Sequence, residues 1–440
     1  MSAPDTPSAG LVRAVSRRQL VGLAINDVVG SGIYLLPAAA AALLGPASVW
    51  AVVLAGFAAA LLVLCFAEAS SHFDQPGGAY LYTREAFGRF IGFEVGWMTW
   101  LSRVAALASF AQGLVQATTF LWPAAAGRGG RVAIICGLIL PLAAINVRAV
   151  RAGARTAVVL VIAKMVPLAF FVAVGAWFVD SSRLAIFQAP RGGALGQAAL
   201  LLLFAYGGFE NTPVAAGEYH NPRRNVPFAL LSMIFIVTLL YGAVQWVALG
   251  TLPGLAGSAS PLADAAQRFA GHPGAWLLTL GTMLSIAGIA SNTMLTGPRY
   301  LYALACDGYG PRWLARVHPR YRTPAVAIVV QALVALALAM SGSFVQLASL
   351  SVIARVATYI GTAAAVPILR RRIAARATVR LPLGPAIPIA ALLIATALLS
   401  SATAASLLGV AAALAAGCVI YVARRPPAAD GSLSGEALKR

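Results

Sequence analysis

The chain has 440 residues, 60% hydrophobic and only 10% charged, with a mean hydropathy of +0.83. A water-soluble domain carries about 25% charged residues, so this composition excludes a soluble fold and points to an all-α polytopic membrane protein whose surroundings are the lipid bilayer. The net charge of +19 raises nucleic acid as a partner, but the placement of the basic residues below accounts for it without one.

Residues 1–18 are polar and carry no cleavable leader pattern. Twelve apolar spans follow, near 19–42, 47–70, 91–120, 131–147, 156–179, 194–216, 226–250, 274–303, 323–341, 343–369, 381–400 and 403–423. Only Ser341-Gly342-Ser343 separates the ninth from the tenth. Residues 251–273 form the longest outer loop, with room for a short interfacial helix, and the tail from 424 to 440 lacks apolar periodicity and is expected to be disordered. Cys65, Cys136, Cys306 and Cys418 are scattered through apolar runs, as small buried hydrophobes would be, with no metal or disulfide spacing.

An even number of spans puts both tails on one side. With the tails inside, 24 basic residues fall in inner segments and five in outer loops (Arg128, Arg131, Arg183, Arg191, Arg268). The excess of Lys and Arg on the cytoplasmic side places both termini there.

Two spans are interrupted. The first reads NDVVGSGIYLLP, Asn26 to Pro37, and the sixth reads FAYGGFEN, Phe204 to Asn211, with Pro213 just beyond. A lone Gly-Ser-Gly is an ordinary kink, but these breaks lie five spans apart. They divide the chain into repeats at 19–179 and 194–369, with 370–423 forming two extra spans. An odd number of spans per repeat inverts the second copy, and paired Gly/Pro breaks in matching positions mark a transporter site. Unwound backbone is tolerated in a bilayer only where it lines a cavity or meets a ligand. The free N–H groups near Ser31, Gly32 and Ile33 favour a carboxylate. The free carbonyls near Val28, Phe204 and Gly207 favour an ammonium. Together they suit an α-amino acid.

Three basic residues fall inside spans: Arg103, Lys164 and Arg355. Of the 32 basic residues only two are lysines, and the other is Lys439 in the tail. A buried lysine can lose its proton where an arginine cannot. By helical rise Lys164 lies about 12 Å from the inner end of its span, too far to snorkel comfortably. Arg103 and Arg355 need partners, for which Glu68, Glu94 and Glu210 are available. Tyr206, Trp97, Trp100 and Asn292 are further candidates for the side-chain pocket.

These segments resemble the amino acid–polyamine–organocation superfamily, permeases with the leucine-transporter fold. The resemblance is carried in order by VVGSGIYLLP, by FAEASSHFDQPGGAYLYTREAFG (Phe66 to Gly88), by FAYGGFEN with GEYHNPRRNVPFAL, and by RYLYALACDGYGPRWLARVHPRYRTP. It implies that Gly30, Ser31 and Gly32 hold the substrate carboxylate. It implies that Val28, Phe204 and Gly207 offer carbonyls to the amine, with Phe204 as an aromatic gate. Lys164 matches a position where proton-coupled relatives carry lysine in place of sodium. Asp27 departs from relatives with Asn there, so its role in proton coupling or in cation preference stays open. Glu210 resembles a structural acid of the family, and Arg103 and Arg355 are read as structural intramembrane charges.

The four histidines form no metal or catalytic constellation and no phosphate-binding loop occurs, so an enzyme or an ATP-driven pump is not expected. No cofactor is implied, and the expected coupling ion is a proton. The expectation is a secondary active amino-acid transporter in a cell membrane of the bacterial inner type, a proton symporter working by alternating access. The alternatives are an amino-acid or polyamine exchanger and a non-transporting membrane protein. Neither the substrate side chain nor the oligomeric state is legible.

Overall fold

A computed structural model describes residues 15–73, 77–148, 154–184, 192–373 and 377–424. The tail expected to be disordered lies outside these residues from 425 onward. Among the described residues the chain is helical, and the sole β-type pairing is an isolated bridge between Val15 and Tyr219.

The first interrupted span is two helices, α1 (Arg17–Val28) and α2 (Ser31–Leu44). A capping box starts α1: Ser16 Oγ accepts from Gln19 N while Gln19 reaches back to Ser16 N. Next come α3 (Ser48–Ser71), α4 (Gly78–Phe87), α5 (Arg89–Leu121), α6 (Arg128–Arg148) and α7 (Ala154–Gly175). The sixth apolar segment is α8 (Gly192–Tyr206) followed, beyond Gly207 and Gly208, by a 3-10 stretch at Phe209–Glu218. After it come α9 (Pro222–Thr251), α10 (Pro261–Cys306), α11 (Ala325–Ser341), α12 (Phe344–Arg372), α13 (Ala386–Ser400) and α14 (Ala404–Arg424). Among the described residues seven stretches are long and apolar enough to cross a bilayer, and four shorter apolar helices lie at Ile162–Phe178, Gly193–Tyr206, Ala325–Ser341 and Ala386–Ser400.

The short break between α11 and α12 works through Ser343, whose hydroxyl accepts from Gln346 N in a second capping box. The outer loop holds the short helix for which the sequence left room, and one boundary differs from the sequence reading. Helix α10 starts at Pro261, inside the stretch read as an outer loop, and turns at Gly271 (φ 62°) into its long membrane part. Helix α13 starts at Ala386, later than expected, because Leu383 and Gly384 both take positive φ ahead of Pro385. Of the cysteines, Cys65 is buried but Cys306 is exposed at the end of α10, so burial does not hold for all four.

Helix α5 lies at the centre against α10 and α12, and α3 packs along α9. Alanines such as Ala55, Ala59, Ala108, Ala111 and Ala248 are fully buried there, where small side chains let apolar helices approach closely. Phe57, Ile162, Phe235 and Leu239 are exposed on the outside, as apolar side chains facing lipid would be.

Candidate functional site

The two breaks meet. Helix α1 ends when Val29 N donates to Ile25 O. Gly30 is extended, and α2 starts at Ser31 without a side-chain cap, leaving its first N–H groups uncapped by any side chain. Across from it, Gly208 holds φ 127°, and a Cβ there would stand 2.0 Å from the carbonyl oxygen of Asp27. A Cβ on Gly32 would stand 2.6 Å from Ala205 Cα. Backbone therefore packs on backbone, which only glycine permits.

Tyr241, from α9, ties the breaks together: its hydroxyl lies 3.3 Å from Val28 O and 3.0 Å from Ala205 O, within donating distance of both. Lys164 binds the other face. Its Nζ donates to Asn26 O (3.0 Å) and Val29 O (3.1 Å), the carbonyls flanking the end of α1. Tyr34 of α2 in turn donates to Lys164 O at 2.9 Å. The lysine is 1% exposed, so it is held inward and does not snorkel.

All six residues expected to cradle substrate, Val28, Gly30, Ser31, Gly32, Phe204 and Gly207, line one cavity together with Asp27, Arg103 and Arg355. The cavity is narrow, about 20 Å³, room for roughly one water. Ser31 Oγ and Asn211 Oδ1 border it, buried and without a hydrogen-bond partner among the described residues. Such atoms are costly to bury unless something polar meets them. Asp27 accepts from Asn292 Nδ2 at 2.7 Å.

Glu210 stands behind the cavity at 2% exposure. Its Oε2 accepts from Gly208 N (2.9 Å) and from Tyr359 Oη (3.2 Å), and its Oε1 lies 3.4 Å from Arg103 Nη2 and 3.3 Å from Arg355 Nε. The carboxylate thus clamps the second break to α5 and α12. The other two acids are not partners of these arginines. Glu68 pairs with Arg370 at 2.7 Å and also accepts from Leu381 N. Glu94 abuts Gly417 on α14, where a Cβ would lie 2.5 Å from its Oε2.

One side of the cavity is sealed by aromatics. The Phe204 ring lies 5.9 Å from that of Phe110 and 6.1 Å from that of Phe344, all three buried. Asp27, which lines the cavity, and its partner Asn292 are half-buried, and so are Leu23 and Thr296, one turn away on α1 and α10.

Three expected pocket residues lie elsewhere. Tyr206 points its hydroxyl at Val52 O on α3, and Trp97 donates to Ala413 O on α14. Trp100 packs beside Trp97 with ring centres 5.1 Å apart and planes tilted by 37°, outside the cavity lining. Asn292 does reach the site, through Asp27. Phe110, Ile289 and Tyr241 were not singled out in the sequence. A tyrosine in mid-span is the signal that would have found Tyr241, whereas Phe110 and Ile289 are indistinguishable from core residues.

Residues 15–430 match the family model described as amino acid permease. The chain belongs to the amino acid permease family. It is an integral membrane transporter by family and by its apolar helices. Among similar proteins from Bacillus subtilis (strain 168) is one named methylthioribose transporter, 29% identical over 88% of this chain and 87% of its own. Another is the serine/threonine exchanger SteT, 28% identical over 88% of this chain and 90% of its own. A third is the branched-chain amino acid permease BcaP, 25% identical over 84% of this chain and 83% of its own. These relatives are named as transporters, exchangers and permeases, so the chemistry of this permease is movement across a membrane.

Proposed function

We propose that this permease is a secondary active amino-acid transporter, a proton symporter working by alternating access at the meeting point of the two breaks. One observation carries the reading: the α2 N-terminus and the carbonyl-bearing ends of α1 and α8 converge on a single cavity beside Ser31. The N–H groups of Ser31, Gly32 and Ile33 take the substrate carboxylate. Carbonyls of Val28, Phe204 and Gly207 take the amine once Tyr241 releases Val28 O. Phe204, with Phe110 and Phe344, is the outer gate.

Twelve crossings and two five-span repeats complete the proposal. The packing supports it, because contacts of α5 with α12 and α11 have counterparts in α10 with α7 and α6. In the same way α1 meets α7 as α8 meets α12, while α3 with α9 and α5 with α10 are their own counterparts. Helices α13 and α14 stand outside the repeats. The arginine-rich segments support an orientation with both termini cytoplasmic, in a cell membrane of the bacterial inner type. On this orientation the half-buried Leu23, Asp27, Asn292 and Thr296 mark the inner path.

Lys164 takes the place of a coupling cation. Its ammonium occupies two carbonyls at the break, so a proton leaving or joining it would loosen or fix α1. Asp27, at the mouth of the inner path, is the second proton site.

Exchange is the second reading, favoured by the relative named serine/threonine exchanger. Proteoliposome uptake over an amino-acid panel separates the two. Stimulation by an inward proton gradient supports symport, and stimulation only by internal amino acid supports exchange. Absence of uptake under both regimes contradicts the transport proposal.

A further inference from the structure

The guanidinium of Arg355 lies directly on the second break. A Cβ on Gly207 would stand 1.5 Å from Arg355 Nη1, and the group lies 6.0 Å from the centre of the Phe204 ring. The protein thus packs a cation of its own against Gly207, a residue assigned above to the amine site. A substrate bearing a second positive charge would meet Arg355 there, at close range in a water-poor site.

Charge accounting points the same way. Arg103, Arg355 and Lys164 are 3%, 4% and 1% exposed, and the two guanidiniums keep their charge even when buried. Against three cations stand Glu210 and Asp27. With Lys164 protonated the cluster keeps one excess positive charge when Asp27 is ionised and two when Asp27 is protonated, and this is the state that receives the substrate. Glu210 cannot absorb the excess, because it already accepts from Gly208 and Tyr359 and both arginines share its Oε1. Donors are left over: Arg103 Nε has no acceptor among the described residues, and Arg355 Nε has the distance to Glu210 but no hydrogen bond to it. A buried excess of guanidinium donors is the arrangement that a carboxylate satisfies.

We propose that Arg355, backed by Arg103, is the specificity-determining cation of the site, and that the preferred substrate is an amino acid with an acidic side chain. The inference rests on the amino-acid reading above and narrows it. The α-carboxylate goes to the start of α2 and the side-chain carboxylate to Arg355, which swings off Gly207 to receive it and uncovers the carbonyls for the amine. Bound substrate brings a net charge of −1 and neutralises the excess. Lysine and polyamines are rejected by the same charge.

The test is competition in proteoliposomes of the full-length protein, with aspartate and glutamate against serine and leucine, and against lysine and putrescine. In the wild type the acidic compounds compete about tenfold or more better than the neutral ones, and the cationic ones do not compete. In R355Q the acidic-to-neutral ratio falls about tenfold or more, and R355K, which keeps the charge, recovers part of it. A merely structural Arg355 would lower uptake of both classes together and leave the ratio in place. Wild-type data alone decide if R355Q fails to fold. Neutral or cationic compounds outcompeting acidic ones overturn the acidic preference and leave amino-acid transport standing. Transport of no amino acid overturns both.

Discussion

Gly208 and Asp27 touch through their backbones: a single methyl on Gly208 would stand 2.0 Å from the Asp27 carbonyl oxygen. The two residues lie on the two breaks, so the contact joins the halves of the site without any side chain.

Gly208→Ala therefore meets both a positive φ of 127° and a backbone wall. The expected loss is about 2–4 kcal/mol, combining strain at positive φ with overpacking. Gly45→Ala is the control. It has φ 57° with open space around the added methyl, so it loses only about 1 kcal/mol. Thermal unfolding in detergent reads the difference. Equal destabilisation of the two variants would mean that the close approach is not rigid.

Lys164→Ala removes the ammonium from Asn26 O and Val29 O. We expect stimulation of uptake by an inward proton gradient to disappear while substrate binding persists. Gradient dependence equal to that of the wild type would remove Lys164 from the coupling step.

Tyr241→Phe keeps the packing and deletes the hydroxyl near Val28 O and Ala205 O. A hydrogen bond is worth about 1 kcal/mol net, so the folded protein loses roughly that amount. Tyr241 also competes with the substrate amine for Val28 O, so its loss shifts apparent substrate affinity. Binding measured alongside thermal unfolding checks both effects.

Glu210→Ala strands Arg103 and Arg355 beside a cavity without the carboxylate that holds them. Removing one partner of a buried ion pair costs about 3–5 kcal/mol. We expect poor yield of monodisperse protein, partly recovered in Glu210→Asp, as read by size-exclusion chromatography. Normal yield of Glu210→Ala would show that water or a neighbouring group replaces the clamp.

The helical class and most segment boundaries were legible because lipid allows few backbone solutions, so apolar length nearly specifies the element. The residues gathered at the cavity were legible for a related reason. Glycine pairs and a lone mid-span lysine are expensive in a bilayer and stand out. Misplaced residues were of the opposite kind. Trp97 and Trp100 resemble pocket aromatics in sequence, yet their direction depends on how α5 rotates against α14. Glu94 resembled an arginine partner, but it faces Gly417, a long-range neighbour that no local pattern announces. Arg355 was read as structural and does touch Glu210, but its position on Gly207 follows only from the packing of α12 against α8.

The most direct test of the central claim is uptake of a labelled amino-acid panel into proteoliposomes, comparing wild type with Gly208→Ala and Lys164→Ala under an inward proton gradient. The account predicts amino-acid accumulation that follows the gradient in the wild type, loss of accumulation in Gly208→Ala, and loss of the gradient response in Lys164→Ala. Wild-type vesicles that accumulate no amino acid, or variants that accumulate it with unaltered gradient response, would contradict a substrate site built from the two breaks and coupled through Lys164.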